Sequence, residues 1–245
     1  MISNLFHLFF YNPIYNLLVF LVHLIPGGDV GIAVVIVTLL IRLILLPFSL
    51  SAARTQHAMS ALEPKLKEIR ELHKDDKETQ AQKTLEAYRE AKINPFSSII
   101  TMFIQIPILL ALYWVFRYEA FPMIDTKLLY SFVTVPQTVS MQFLGLINVA
   151  GKSLLLALLA GAAQYAQATL MFARTTKKAP EKAEAAPADF ARMMNMQMRY
   201  VFPVIIGVIA YTTSGAIALY FAVTNIFGAL QELYLRHKLP PHPAA

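Results

Sequence analysis

The chain has 245 residues, 57% of them hydrophobic and 15% charged, with a mean hydropathy of +0.53 and a formal net charge of +6 at pH 7. These values exclude a soluble globular domain and describe an integral membrane protein with room for several spans and one modest soluble element. Cysteine is absent, which excludes disulfide frameworks, thiolate metal sites and cysteine nucleophiles.

Residues 1–28 are apolar but interrupted by Asn12, Pro13, Asn16 and His23. They hold no Lys or Arg, so the basic region of a cleavable signal peptide is missing and none is expected. From Ile14 to Ile25 a helix would be only about 18 Å long, too short to span comfortably. An amphipathic segment lying in the interface is expected, with a short core-facing helix as the alternative. Pro26-Gly27-Gly28-Asp29 breaks the chain before a first apolar run, Val30 to Phe48, that is long enough to cross a bilayer.

Arg42 stands inside that run. An arginine near the middle of a spanning helix costs roughly 2.5–3.5 kcal/mol on insertion scales. Ser49 lies seven positions further on, about 10 Å of helix, so the charge is off-centre toward the C-terminal end. Two readings follow: snorkelling to the near interface, or a polar pocket in one leaflet.

Residues 52–93 form the only long charged stretch. Met59, Leu62, Leu66, Ile69 and Leu72 recur at helical spacing, as do Ala81, Leu85 and Tyr88, with a turn between them at His73-Lys74-Asp75-Asp76-Lys77. The spacing predicts an antiparallel helical hairpin in water with one thin apolar seam, Pro64 falling in its first helix. Its nine basic and eight acidic residues nearly cancel, which argues against a nucleic-acid patch. A second span is expected over Phe96–Phe116 with Gln105 and Pro107, and a third over Ser153–Phe172 with Gln164 and Gln167. The final apolar stretch, Tyr200–Leu235, is too long for one helix and splits at Thr212-Thr213-Ser214-Gly215 into two spans.

The full partition runs from an extracytoplasmic interfacial segment (1–28) through the first span (29–50), the cytoplasmic hairpin (51–93) and the second span (94–117). An extracytoplasmic loop (118–151), the third span (152–173) and a cytoplasmic loop (174–199) follow. The fourth span (200–213), the fifth (214–236) and a cytoplasmic tail (237–245) complete it. On this partition 17 Lys and Arg lie on the hairpin side and three, Arg117, Lys127 and Lys152, on the other. That asymmetry predicts N-out, C-in, with Arg42 in the cytoplasmic leaflet. The expected fold is an all-α, five-span integral membrane protein in a prokaryotic plasma (inner) membrane.

No catalytic constellation is visible. The six histidines are scattered and none pairs with a carboxylate at metal-ligand spacing. No phosphate loop or nucleophile elbow occurs, so neither an enzyme, a metal nor a cofactor is expected. What remains is Arg42 with the uncharged polar residues Thr38, Gln105, Gln164, Gln167, Thr224 and Asn225. Each could merely bond helix to helix. Together they could line a hydrated groove that lowers the cost of bringing polar segments into the membrane. A groove of this kind, beside a cytoplasmic hairpin, suggests handling of a polypeptide.

Several stretches resemble the YidC/Oxa/Alb membrane protein insertases: YNPIYNLL (11–18), TLLIRLILLPFSL (38–50), LEPKLKEIREL (62–72), EAKINPFSSIITMFIQIPILLALYWVF (90–116) and LYFAVTN (219–225). They occur in the family's order and spacing. The resemblance implies a groove open to cytoplasm and lipid, with the family's arginine on Arg42 and its groove glutamine on Gln167, one turn from Gln164. Phe221 falls where the family carries an aromatic, often Trp, and Ser214 where it commonly has proline. The second and fourth spans would offer a greasy sliding surface, here Ile99, Met102, Phe103, Ile106, Val204 and Val208. The hairpin, with Met59, Leu62, Pro64, Leu66, Leu85 and Tyr88, would aid capture. Implied partners are nascent membrane proteins, the lipid bilayer and a Sec-type translocon. The short tail RHKLPPHPAA argues against strong ribosome tethering. The rival reading is an anion or solute channel using Arg42.

Overall fold

A computed structural model describes residues 2–91, 97–117, 121, 123–172 and 196–238. Side chains are described throughout these ranges except at 2, 3, 60, 63, 97–102, 172 and 198. Most of the loop expected over 174–199, and the tail from 239, lie outside the described residues.

The chain begins as a helical run: α1 (Ile2–Phe6), a π turn (His7–Tyr11) and α2 (Asn12–Leu24). Pro13 stands at the start of α2, where its missing N–H matters least, and the π turn ahead of it absorbs the change in register. The interfacial segment expected over 1–28 therefore meets a different arrangement. Asn4–Leu24 is a 21-residue apolar helical stretch, and Tyr15, Leu18, Val19 and Val22 are essentially fully buried in the core. Asn16 is buried as well. Its amide donates to the Leu128 carbonyl at 2.9 Å and its oxygen accepts from the Tyr130 amide at 2.6 Å.

Gly27 and Gly28, both at positive φ, turn the chain into α3 (Val30–Ile44). At Gly28 a Cβ would lie 2.0 Å from the Thr138 carbonyl oxygen, so only glycine fits. Asp29 caps α3, its Oδ1 accepting from the Ile32 amide at 2.9 Å, while Oδ2 accepts from the Leu144 amide at 2.7 Å. The first span was expected to continue to Phe48. Instead α3 ends at Ile44, and α4 (Leu46–Leu72) leaves at 63°. Pro47 is the cause: inside a continuous helix its ring would strike the carbonyl of residue 43, whereas it is tolerated in the first turn of a new one.

Helix α4 continues into the hairpin and returns as α5 (Lys77–Glu90), whose cap is Asp76. The seam is thinner than its periodicity predicts. Leu66 and Ala87 are buried and Met59, Leu62 and Tyr88 partly so, but Leu72 and Leu85 are exposed, as is Pro64. Lys65 and Glu90 bridge the two helices at 2.7 Å.

Beyond α6 (Ser97–Arg117) an irregular segment carries a two-stranded antiparallel hairpin, β1 (Gln142–Phe143) and β2 (Ile147–Asn148). Its tip holds Leu144 and Gly145 at positive φ, the backbone that a tight hairpin turn demands. The helices α7 (Leu154–Phe172), α8 (Phe202–Thr212) and α9 (Gly215–Lys238) follow. The break between α8 and α9 falls at Thr213–Ser214. Residues 215–222 are buried on every side, so the first half of α9 is the centre of the bundle. Gly161 of α7 and Gly207 of α8 let those helices approach closely, in the manner of small-residue membrane interfaces.

By length and composition three helical stretches could cross a membrane: Asn4–Leu24, Leu154–Met171 and Gly215–Lys238. Counting the bent pair α3/α4 as one broken span makes four. The apolar parts of α6 and α8 are shorter. The chain is thus a mostly helical, multi-pass membrane protein.

Candidate functional site

Three helices start at one level. Val30 at the head of α3 donates to Ser140, Val149 donates to Met141, and the amides of Gly215 and Ala216 at the head of α9 donate to Gly151 and Val149. Helix α7 begins at Leu154, three residues after Gly151. So α3, α7 and α9 run in parallel away from the β-hairpin, and their C-terminal halves meet at the opposite end. There they enclose, with the root of α4, a cavity of about 200 Å³.

Arg42 lines it from the last turn of α3, Gln167 from α7, Ser49, Gln56 and His57 from α4, and Gln231 and Glu232 from α9. A guanidinium in the last turn of α3 also faces the partial negative charge of that helix end. The space can admit a side chain or two, not a helix of 10–12 Å diameter. The bend at Leu45 matters here, because it swings α4 across the mouth and brings Ser49 within 2.8 Å of Gln231, to whose Oε1 it donates.

Among the described residues Glu232 is the one carboxylate lining this cavity, and it is buried. His57 Nε2 lies 3.0 Å from it, and Arg236, one turn along α9, donates from Nε at 3.3 Å. Gln167 presents the opposite case. Its Oε1 is buried and has no hydrogen-bond partner among the described residues. Such an acceptor costs about 1–3 kcal/mol if left unmet. The Gln167 amide rests on Gly228, where a Cβ would come within 2.3 Å of Nε2.

None of the other residues expected in a groove lines this cavity. Gln164, one turn from Gln167, does not line the cavity. Asn225 is buried and its Nδ2 donates to the Ala160 carbonyl at 3.4 Å, tying α9 to α7. Phe221 and Thr224 are buried in α9, Phe221 within the apolar core. Thr38 returns its hydroxyl to Val34 of its own helix at 2.6 Å. Gln105 donates to the Tyr220 hydroxyl, which joins α6 to α9. Position within an apolar run does not reveal which side of a helix a polar residue faces; Asn225 and Gln105 bond to neighbouring helices and Thr38 to its own.

The apolar residues expected to form a sliding surface are exposed where described. Phe103 and Ile106 of α6, and Val204 and Val208 of α8, are 44–65% exposed. The side chains of Ile99 and Met102 lie outside the described residues. Sequence reasoning missed Ser49, His57, Gln231 and Glu232. Their pairings join positions 175 and 182 residues apart, and the only local signal was Glu232 itself, a carboxylate in an otherwise uncharged stretch of the last span.

Residues 20–242 match the model of the 60Kd inner membrane protein family. The chain is 30% identical over 232 residues to the Fusobacterium nucleatum protein named Membrane protein insertase YidC, covering 94% of this chain and 98% of that one. A protein of the same name from Francisella philomiragia is 29% identical over 216 residues, 88% of this chain but 34% of that longer one. Another, from Francisella tularensis subsp. novicida, is 43% identical over 88 residues, 36% of this chain and 16% of that one. With the family model matching nearly the whole chain and one relative matched along its whole length, the chain belongs to the 60Kd inner membrane protein family, that of the YidC/Oxa/Alb insertases.

Proposed function

We propose that this protein is a membrane protein insertase that passes small or single-span proteins into the bilayer without nucleotide hydrolysis. The observation that carries this reading is the polar cavity around Arg42 and Gln167, at the shared C-terminal ends of α3, α7 and α9. The 17-to-three distribution of basic residues supports a cytoplasmic position for that end.

In this reading α3, α6, α7, α8 and α9 are five spans, N-out and C-in, in a bacterial inner membrane. Helix α2 bonds through Tyr15 and Asn16 to the segment 125–130, which favours a place at the outer edge of the bundle.

The mechanism needs only elementary forces. Arg42 holds the polar, often acidic part of a client that must cross, so this part is not stripped of every partner in the low-dielectric interior. The client's apolar segment leaves along the exposed faces of α6 and α8 into lipid, releasing about 25 cal/mol per Å² buried. An outside-positive membrane potential pulls acidic tails in the same direction. The hairpin α4/α5 reaches into the cytoplasm as a first contact for clients. The channel reading draws no support from the family.

The test is reconstitution of the purified protein in sealed liposomes with a labelled single-span client. Protein-dependent protease protection of the translocated tail, with no leak of a trapped anion, is the expected result. Anion leak without client insertion would replace the insertase reading with the channel.

A further inference from the structure

We propose that the cavity is bipolar and recognises charge order in its clients, Arg42 taking an acidic side chain of the advancing segment and Glu232 taking a basic side chain that follows it. The inference rests on the insertase reading and deepens it. Among the described residues one guanidinium and one buried carboxylate line the same small cavity, which is therefore not the simple anion site that Arg42 alone suggests.

Their depths differ in a defined sense. Helices α3 and α9 begin at one level on the β-hairpin segment. Arg42 lies 12 residues from the start of α3 and Glu232 lies 17 from the start of α9. At 1.5 Å per residue the carboxylate is on the order of 8 Å nearer the C-terminal end. The first charge reached from the outer side is positive, and the second is negative.

The carboxylate at the second position has capacity left. A carboxylate offers about four lone-pair sites, and His57 and Arg236 approach Glu232 from two directions. Gln167 Oε1, 13 residues from the start of α7 and so level with Arg42, is a buried acceptor without a partner among the described residues. An ammonium or guanidinium entering the cavity would find this carboxylate. A client with an acidic residue ahead and a basic residue behind matches this order. For an extended segment the 8 Å offset corresponds to about two or three residues.

The test uses the full chain in sealed liposomes with four single-span clients, whose tails carry neither charge, Asp alone, Lys alone three residues behind, or both. In wild type, adding Lys behind Asp is expected to raise insertion about three- to fivefold. In Glu232→Gln that gain is lost while the gain from Asp alone persists, and Glu232→Asp restores it. An equal Lys gain in wild type and Glu232→Gln, or no Lys gain in wild type, overturns the proposal. Wild type inserting no client at all removes the insertase reading itself.

A second measurement covers the case in which Glu232→Gln fails with every client. The chain has no cysteine, so Gln231→Cys can be paired with a single client cysteine in a background that retains Glu232. Disulfide formation is expected two or three residues behind the client's Asp. Cross-linking spread evenly along the tail, or none, overturns the assignment.

Discussion

Asp29 holds two structures at once, and replacing it tests how the outer end of the bundle is built. Its Oδ1 caps α3 through the Ile32 amide at 2.9 Å, and its Oδ2 accepts from the Leu144 amide at the β-hairpin tip at 2.7 Å. The residue is 7% exposed, so water does not readily replace either bond. Loss of an N-cap costs about 0.5–2 kcal/mol. Leaving the Leu144 amide without an acceptor costs a further 1–3 or so. Asp29→Ala should therefore destabilise the protein by about 1.5–5 kcal/mol. Asp29→Asn, which keeps an oxygen for Ile32 but turns an amide toward Leu144, should cost about 1–3 kcal/mol. The assay is thermal unfolding in detergent, where each kcal/mol shifts the midpoint of a chain this size by about 2–4 °C, with amide exchange at Leu144 as the local readout. Both variants within 0.5 kcal/mol of wild type, or unchanged protection at Leu144, would refute the reasoning.

Gly228→Ala places a Cβ where the Gln167 amide now sits; the flexible side chain gives way, so polar-tail insertion is expected to fall while the unfolding temperature holds within about 4 °C. A large drop in stability with normal insertion would contradict that. Tyr220→Phe removes the acceptor of the Gln105 amide and is expected to cost about 0.5–1.5 kcal/mol in detergent unfolding. In a double-mutant cycle with Gln105→Met, additive effects would refute the coupling. At the hairpin tip, the Thr79 hydroxyl and amide hold the Asp76 carboxyl below its ordinary range. Its contribution to α5 is then fully present above the unfolded value of about 3.9 and is lost as pH falls through the lower folded value. Thr79 amide exchange, corrected for the intrinsic rate, should accelerate below about pH 4, and a flat profile would contradict the cap.

What the sequence revealed depended on how local the physics was. Arg42 was legible because a charge in an apolar run has few explanations. The break at Thr213–Ser214 was legible because a largely apolar stretch of 36 residues exceeds any single span. The bend at Leu45 was signalled by Pro47, but hydropathy continues unbroken to Phe48 and masks it. Asn12, Pro13 and Asn16 read as interruptions suited to an interface; in the fold a π turn accommodates Pro13, and Asn16 finds partners more than 100 residues away. The cavity was half legible. Gln167 and Arg42 could be named, whereas the His57–Glu232 pair depends on α4 folding back across α9, which no local pattern encodes.

The most direct measurement of the central claim compares wild type with Arg42→Ala in sealed liposomes, using one single-span client with an acidic translocated tail and the same client with the acids replaced by Asn or Gln. Protection of the acidic tail should fall severalfold in the variant while the neutral tail inserts as before. Equal protection of both tails in both proteins would contradict a cavity that works through its guanidinium.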